Sequence, residues 1–213
     1  MRHYLINNNS ENLLIFFTGW GCDEYEFAHL TADSDLLLLF DYQDLNLDFD
    51  FSKYKKYSLI AFSAGVFVAT VFNFDFKIDK KIAVDGNPFL FDEKLGLSKD
   101  MQYLLYTITE KTADDFAKNY LVKPDEFQIF HHSKRSLESC RFEFDSLRQL
   151  YNDNKQSIND FYDYAIIGDD DLIFNVSVQK EYFGDRLVVL KNARHNPFFR
   201  IKKYEQILNL DII

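Results

Sequence analysis

The sequence is poor in residues that interrupt regular structure and in cysteine. It contains 7 glycines and 3 prolines among 213 residues, whereas 17% of the residues are aromatic. This composition excludes a disordered or low-complexity chain and favours a compact globule with an ample core. Cys22 and Cys140 are the two cysteines, so we expect reduced structural thiols rather than the disulfide framework of a secreted domain.

Long apolar runs and an excess of basic residues are also missing. Apolar runs such as 36–40 are far shorter than the roughly 20 residues of a membrane-spanning helix, and the first residues show no signal-peptide pattern. The formal net charge is −10, which argues against general nucleic-acid binding because phosphate neutralisation needs a basic face. We therefore expect a soluble, cytoplasmic monomer with no nucleic-acid or membrane partner.

Short apolar runs alternate with helix-like segments over the first 90 residues. Strands are predicted over 2–6, 12–17, 36–42, 57–62 and 81–85, with a short helix over 24–30 and another after residue 63. Continuous apolar runs are typical of strands buried on both faces, and strand–helix alternation is typical of a mostly parallel sheet with flanking helices.

The pattern changes to amphipathic helix from about residue 90 to 163. Helices are predicted over 101–108, 112–120 and 136–151; strands return over 164–167 and 187–190, with helices over 179–183 and from about residue 199. This order predicts a single α/β domain over 1–213 with a helical lid insertion at about 90–163. The insertion has nine basic and nine acidic residues between 94 and 148, so a local basic patch can form there despite the acidic whole.

A β-prone run ends abruptly at Ser63, which small residues flank. Strand, sharp turn and helix in this order are typical of a nucleophile elbow. The turn needs small residues two positions before and after the serine, here Ala61 and Gly65. Ala61 departs from the usual G-x-S-x-G pattern, and a serine that merely caps a helix after a buried strand would look similar.

A serine nucleophile requires a base and a carboxylate that orients the base. A histidine and several aspartates follow later strands and are candidates for these roles. His195 lies in the loop after the strand 187–190 and is the best candidate for the base that takes the serine proton. Asp171 follows a strand ending in glycine and is our choice for the carboxylate that orients the histidine, with Asp170 next in a run that begins at Asp169. Asp85, which ends the strand after the elbow helix, is a further alternative. The order Ser63, Asp171, His195 matches the α/β-hydrolase fold.

The loop Gly19-Trp20-Gly21 follows a buried strand upstream of the serine. Such a loop can aim a backbone N–H at a developing oxyanion, so we expect the hole to combine the N–H groups of Trp20 and Ala64. The loop lacks the lysine and hydroxyl residue of a phosphate-binding loop. We expect no metal and no cofactor, since the adjacent His131 and His132 do not have the spacing of a convergent ligand pair.

Together these segments resemble the BioG-type pimeloyl-[acyl-carrier protein] methyl ester esterases. The stretches that carry the resemblance are 18–23, 61–66, 85–88, 132–137 and 168–174, with the late His195. The resemblance implies hydrolysis of the methyl ester of pimeloyl-acyl carrier protein in biotin biosynthesis, with Ser63 as nucleophile, His195 as base and Asp171 as its orienting acid.

The resemblance also implies an acidic carrier protein as partner. Its docking calls for local cations, for which Lys134, Arg135, Arg141 and Arg148 are candidates; a solvated helix face would give the same pattern. Two other functions stay open. One is a generic short-acyl esterase or thioesterase with the same triad, and the other is a catalytically silent hydrolase fold that serves as a binding module.

Overall fold

A computed structural model describes residues 1–211 and contains a seven-stranded sheet. The strands are β1 (Arg2–Ile6), β2 (Asn12–Phe17), β3 (Asp35–Phe40), β4 (Lys56–Phe62), β5 (Lys80–Val84), β6 (Tyr164–Gly168) and β7 (Leu187–Leu190). Their order across the sheet is β1-β3-β2-β4-β5-β6-β7. Strand β1 pairs antiparallel with β3, and all the other pairs are parallel. The α/β-hydrolase sheet predicted from the sequence is therefore present.

Helices join and cover the strands from β4 onward. They are α1 (Ala64–Val71), α2 (Lys99–Thr107), α3 (Ala113–Phe116), α4 (Leu137–Asn154), α5 (Val176–Phe183) and α6 (Tyr204–Asn209). Helix α3 continues as a wider helical turn over Ala117–Leu121. Helices α2, α3 and α4 lie between β5 and β6, within the insertion predicted at about 90–163, and we call residues 90–163 the lid. None of the helices in residues 1–211 combines the length and the apolar character needed to cross a membrane.

The strand side chains divide between two apolar clusters, one on each face of the sheet. In β4, Leu59 and Ala61 belong to the cluster that includes α1 and α4, whereas Ile60 and Phe62 belong to the cluster closed by α6. Successive side chains of a strand point to opposite faces, so a strand apolar at every position is buried on both. Ala61 is fully buried, and its methyl group is part of the core behind the elbow.

Two sequence predictions need correction. Residues 24–30 form successive turns rather than the predicted helix. The connection over 41–55, for which no helix was predicted, contains none. After β7 the chain makes a short 3-10 turn over Pro197–Arg200 before α6 begins at Tyr204. In place of connecting helices, phenylalanine side chains pack on the sheet near its first strands. These rings, which we call the aromatic layer, are Phe49, Phe51, Phe72, Phe74 and Phe76.

Candidate active site

Ser63 occupies a sharp turn between β4 and α1. Its φ of 53° and ψ of −122° place a non-glycine residue in a sparsely populated region, which costs on the order of 1–3 kcal/mol. The surroundings enforce the turn: a Cβ added at Gly65 would lie 2.4 Å from the carbonyl oxygen of Thr18. Glycine at position 65 therefore lets α1 begin close against the end of β2, which is the geometry of a nucleophile elbow.

A continuous hydrogen-bonded chain joins Ser63, His195 and Asp171. Nε2 of His195 is 2.9 Å from the Ser63 hydroxyl oxygen, and Nδ1 of His195 is 3.0 Å from Oδ2 of Asp171. The side chains of His195 and Asp171 are 3% and 0% exposed, so the imidazole–carboxylate contact is shielded from water. In this arrangement the imidazole can accept the serine proton while the carboxylate holds the ring in the required tautomer.

The local backbone explains why Asp171 reaches His195. Its other oxygen, Oδ1, accepts the backbone N–H groups of Ile173 at 2.7 Å and Phe174 at 3.1 Å. These bonds fix the carboxylate after β6. The two neighbouring aspartates are engaged elsewhere, because Asp170 pairs with Lys123 and Arg194 and Asp169 with Lys191.

Asp85 is a second buried carboxyl group at the same place. It follows β5, is fully buried, and accepts the N–H of Gly168 through Oδ1 at 2.8 Å. Its Oδ2 has no hydrogen-bond partner among the described residues. Burial, and next the nearby charge of Asp171, raise the pKa of Asp85 well above its usual range. This shift favours the neutral form of Asp85, and Asp171 occupies the position next to the imidazole.

The loop after β2 lies directly over the serine. A Cβ at Gly19 would be 3.3 Å from Cβ of Ser63, so the absence of a side chain leaves room for the close approach. Trp20, Ser63 and Ala64 all line one cavity. Ala64 is the first residue of α1, and the first N–H groups of a helix have no partner within the helix.

The cavity over Ser63 has a volume of about 390 Å³. Its walls are mostly apolar and come largely from the lid. The larger apolar side chains from the lid that line it are Leu90, Phe91, Leu97, Leu105, Ile108, Phe116, Leu121, Phe130, Leu137, Phe144 and Leu147. A concave, mostly apolar site with a few polar groups is typical of small-molecule binding sites.

Cys22 and Cys140 also border this cavity as free, buried thiols. Burial raises the pKa of Cys140 to about 11 and that of Cys22 well above its usual range. The raised pKa disfavours the nucleophilic thiolate form of both cysteines.

Arg135 differs from the surface role predicted for it. Its side chain is 2% exposed and pairs with Glu143 at 2.6 Å and Asp41 at 2.7 Å. A guanidinium committed to two carboxylates offers no free face to a docking protein. The predicted carrier contact of Arg135 is therefore corrected to a buried ion pair with Asp41 and Glu143, which are 94 and 8 residues away along the chain and which the sequence did not reveal as its partners.

The other three predicted cations lie at the lid surface. Lys134 and Arg148 are exposed; Lys134 has its ammonium 3.3 Å from the ring centroid of Tyr25, and Arg148 lies over Phe144. Arg141 is half-buried and donates to the carbonyl oxygen of Ile108 at 2.9 Å. Lys134 and Arg148 therefore retain charge that faces solvent, whereas part of Arg141 fastens α4 to the end of α2.

Two buried acids near the site were missed. Glu143 is fully buried. The sequence signal that could have indicated its burial is its position on the apolar stripe of α4, together with Cys140, Phe144 and Leu147. Glu26 lines the cavity and accepts from Asn196, the neighbour of His195, at 2.8 Å. Burial raises the pKa of Glu26 from 4.5 to about 7.

Comparison with known protein families identifies the family of this chain. The family model described as "Pimeloyl-ACP methyl esterase BioG" matches residues 1–207. The chain belongs to this family. The crystal structure of BioG from Haemophilus influenzae superposes with a TM-score of 0.84 at 27% identity, covering 97% of this chain and 99% of that one.

Other relatives are more distant or match over part of their length. An esterase from Thermogutta terrifontis has a TM-score of 0.61 at 11% identity over 93% of this chain and 87% of that one, which shows a shared fold. A protein of Bacteroides fragilis named "Malonyl-[acyl-carrier protein] O-methyltransferase" is 30% identical over 175 residues, which span 79% of this chain but 36% of that protein. The chain thus resembles about a third of the methyltransferase's length.

Proposed function

We propose that the protein is a serine carboxylesterase that cleaves the methyl ester of a pimeloyl chain on an acyl carrier protein. The observation that carries the proposal is the Ser63–His195–Asp171 chain of hydrogen bonds at one end of a mostly apolar cavity. The BioG family model supports the choice of substrate. The products would be methanol and pimeloyl-carrier for biotin biosynthesis, made by a monomer in the cytoplasm.

The reaction would begin with attack by the Ser63 hydroxyl oxygen on the ester carbonyl carbon. His195 takes the serine proton at Nε2, and Asp171 stabilises the imidazolium that forms. The carbonyl oxygen becomes an oxyanion that accepts the N–H groups of Trp20 and Ala64. When the tetrahedral intermediate collapses, the bond to the methoxy group breaks and His195 returns the proton, so that methanol leaves.

The second half of the reaction would release the acid. Water enters the place of methanol, His195 takes one of its protons, and the hydroxide oxygen attacks the acyl carbon bound to Ser63. The bond to the serine oxygen then breaks, and Ser63 regains its proton from His195. The thioester to the carrier is not touched, because the acyl chain would lie in the cavity with its methyl ester at the triad.

Recognition of the carrier would use cations on the lid. Lys134 and Arg148 are exposed, and each directly follows a residue that lines the cavity, Ser133 and Leu147 respectively. Arg141 contributes from α4, while the buried Arg135 is left out of the surface. Positive charge here would speed encounter with an acidic carrier. The partial match to a protein named for methyl transfer to malonyl-carrier supports a methyl ester on a carrier as the bond that is cleaved.

The test is methanol release from pimeloyl-carrier methyl ester, with Ser63→Ala as a control and a free short-chain methyl ester as a second substrate. We expect rapid cleavage of the carrier ester that depends on Ser63. Preference for the free ester would support a generic esterase and overturn the carrier substrate. Absence of cleavage of either ester would overturn the esterase and leave a silent binding module.

A further inference from the structure

Helix α4 of the lid contacts the loop that contains Gly19, Trp20 and Gly21. The indole Nε1 of Trp20 donates to the carbonyl oxygen of Cys140 at 2.7 Å, and the Trp20 ring meets the ring of Phe144 edge to face with centroids 5.8 Å apart. The backbone N–H of Gly21 donates to Oε2 of Glu143 at 3.0 Å. Side chain and backbone of this loop are thus both tied to one helix.

Glu143 connects this loop to a second part of the core. Its Oε1 accepts the backbone N–H of Tyr42 at 2.9 Å, just after β3. Its Oε2 also accepts from Nη1 of Arg135 at 2.6 Å, and Nη2 of Arg135 reaches Asp41 at 2.7 Å. A fully buried carboxylate is retained only when such partners satisfy it. The carboxylate therefore bridges the chain segments that leave β2 and β3.

We propose that Glu143 and Arg135 form a positioning pair. The pair holds the Gly19–Gly21 loop in the conformation in which the Trp20 N–H donates a hydrogen bond to the oxyanion. The inference rests on the proposed function, since it assigns a task within that reaction. Neither side chain touches the reacting atoms. They act through the peptide next to Trp20, because the Gly21 N–H bound to Glu143 fixes the rotation of that peptide.

The chemistry explains why such a pair matters. A donor in an oxyanion hole is effective only when it stands at hydrogen-bond distance from the place where charge develops. The loop contains two glycines, and Gly21 has a φ of 75°, so its backbone has freedom to take other conformations. A charged acceptor anchors the Gly21 N–H more strongly than a neutral one would. The pair would thus lower the reaction barrier without changing how tightly the ester ground state binds.

The test variant replaces both members by methionine, Glu143→Met with Arg135→Met. Buried ion pairs exchanged together for apolar residues of similar size commonly leave a protein folded. We expect kcat for the free ester p-nitrophenyl acetate to fall about 10²-fold, with KM changed less than about twofold. Affinity for a trifluoromethyl ketone, which adds to the serine as a tetrahedral oxyanion, should fall by a similar factor.

A conservative variant gives an independent measurement if the double variant does not fold. Glu143→Gln retains one carbonyl acceptor and leaves Arg135 on Asp41, so we expect partial rescue, with kcat and ketone affinity lower by about tenfold. A matched control replaces the Arg186–Asp160 pair, 2.9 Å apart and outside the cavity lining, by methionines. Its kcat should stay within about twofold of the unsubstituted protein.

The outcomes separate the two proposals. Lower thermal stability in Glu143→Gln with unchanged kcat and ketone affinity would show a merely structural pair and overturn this inference alone. Absence of Ser63-dependent hydrolysis in the unsubstituted protein would overturn the proposed function and this inference together.

Discussion

One carboxyl oxygen of Asp85 and one of Asp171 lie within 4.8 Å of each other and of a ring nitrogen of His195. Two buried carboxylates so close together repel each other, and one of them takes up a proton. The pKa of Asp85 is raised by burial first and by Asp171 next, whereas Asp171 has two backbone N–H donors. Asp85 is therefore the member of the pair whose neutral form is favoured, and Asp171 is the member that contacts the imidazole of His195.

Exchanging each carboxyl group for an amide tests this division. Asp171→Asn should lower kcat about 10⁴-fold, because the amide favours the wrong tautomer of the histidine. Asp85→Asn should stay within about threefold of the unsubstituted kcat, since an amide resembles a neutral carboxyl group. Steady-state kinetics on a free ester decides between them. The opposite ranking would make Asp85 the group that orients His195.

The strained backbone at Ser63 predicts a difference between two inactive variants. Both Ser63→Ala and Ser63→Gly lose the hydroxyl group and its bond to His195, but glycine adopts the positive φ of 53° without a Cβ penalty. We expect Ser63→Gly to have a free energy of unfolding about 1 kcal/mol above that of Ser63→Ala. Urea denaturation of the two variants measures this. Equal stability would mean that the elbow stores no strain.

The raised pKa of Glu26 predicts a stability loss with rising pH. The unfolded glutamate ionises near 4.5 and the folded one near 7, so between these values the folded protein holds one more proton. Stability therefore falls as pH rises through that window and levels off above it. Glu26→Gln, which keeps an acceptor for Asn196, should raise the free energy of unfolding by about 3 kcal/mol near pH 8 and hardly at all near pH 4.

Urea denaturation across this pH range checks the Glu26 prediction. Glu11→Gln, at a side chain that is 68% exposed, serves as the control and should follow the pH dependence of the unsubstituted protein. A gain from Glu26→Gln that is the same at every pH would contradict the assigned ionisation.

Exposed lid cations predict a salt-dependent contribution to carrier recognition. Lys134→Glu with Arg148→Glu should lower kcat/KM for the carrier ester at least about tenfold at low salt and leave the free ester unchanged. The difference should shrink at high salt because exposed charges are screened. Lys55→Glu, at a residue just before β4 begins, is the control. An equal loss on both substrates would indicate damage to the cavity rather than to docking.

Local sequence patterns were sufficient to predict the structural features that a short segment of the chain determines. Burial of a strand and a tight turn both restrict the types of the adjacent residues. This is why we could predict the strands buried on both faces, the elbow at Ser63 and the late histidine. The short helix predicted over 24–30 was wrong: turns replace it, and Phe27 packs against Phe16 and Phe62 of the sheet. Tertiary packing there overrides a weak local helix preference.

Features that depend on distant partners were not predictable in the same way. Arg135 looked like a surface cation because its partners Asp41 and Glu143 come from two different elements. The choice of Asp171 among three consecutive aspartates had support in the sequence, but the neutral state of Asp85 depends on a contact between two strand ends. Such contacts join residues 8 to 94 positions apart, and the sequence alone does not reveal them.

The aromatic layer has a consequence for the loops that join the strands. Rings of Phe51 and Phe76, with centroids 4.8 Å apart, cover sheet surface from loops in which neither residue belongs to a helix. One aromatic side chain buries about 150–250 Å², so a few rings can shield an area that connecting helices would otherwise cover. In this part of the fold, side-chain bulk thus takes the place of helical segments.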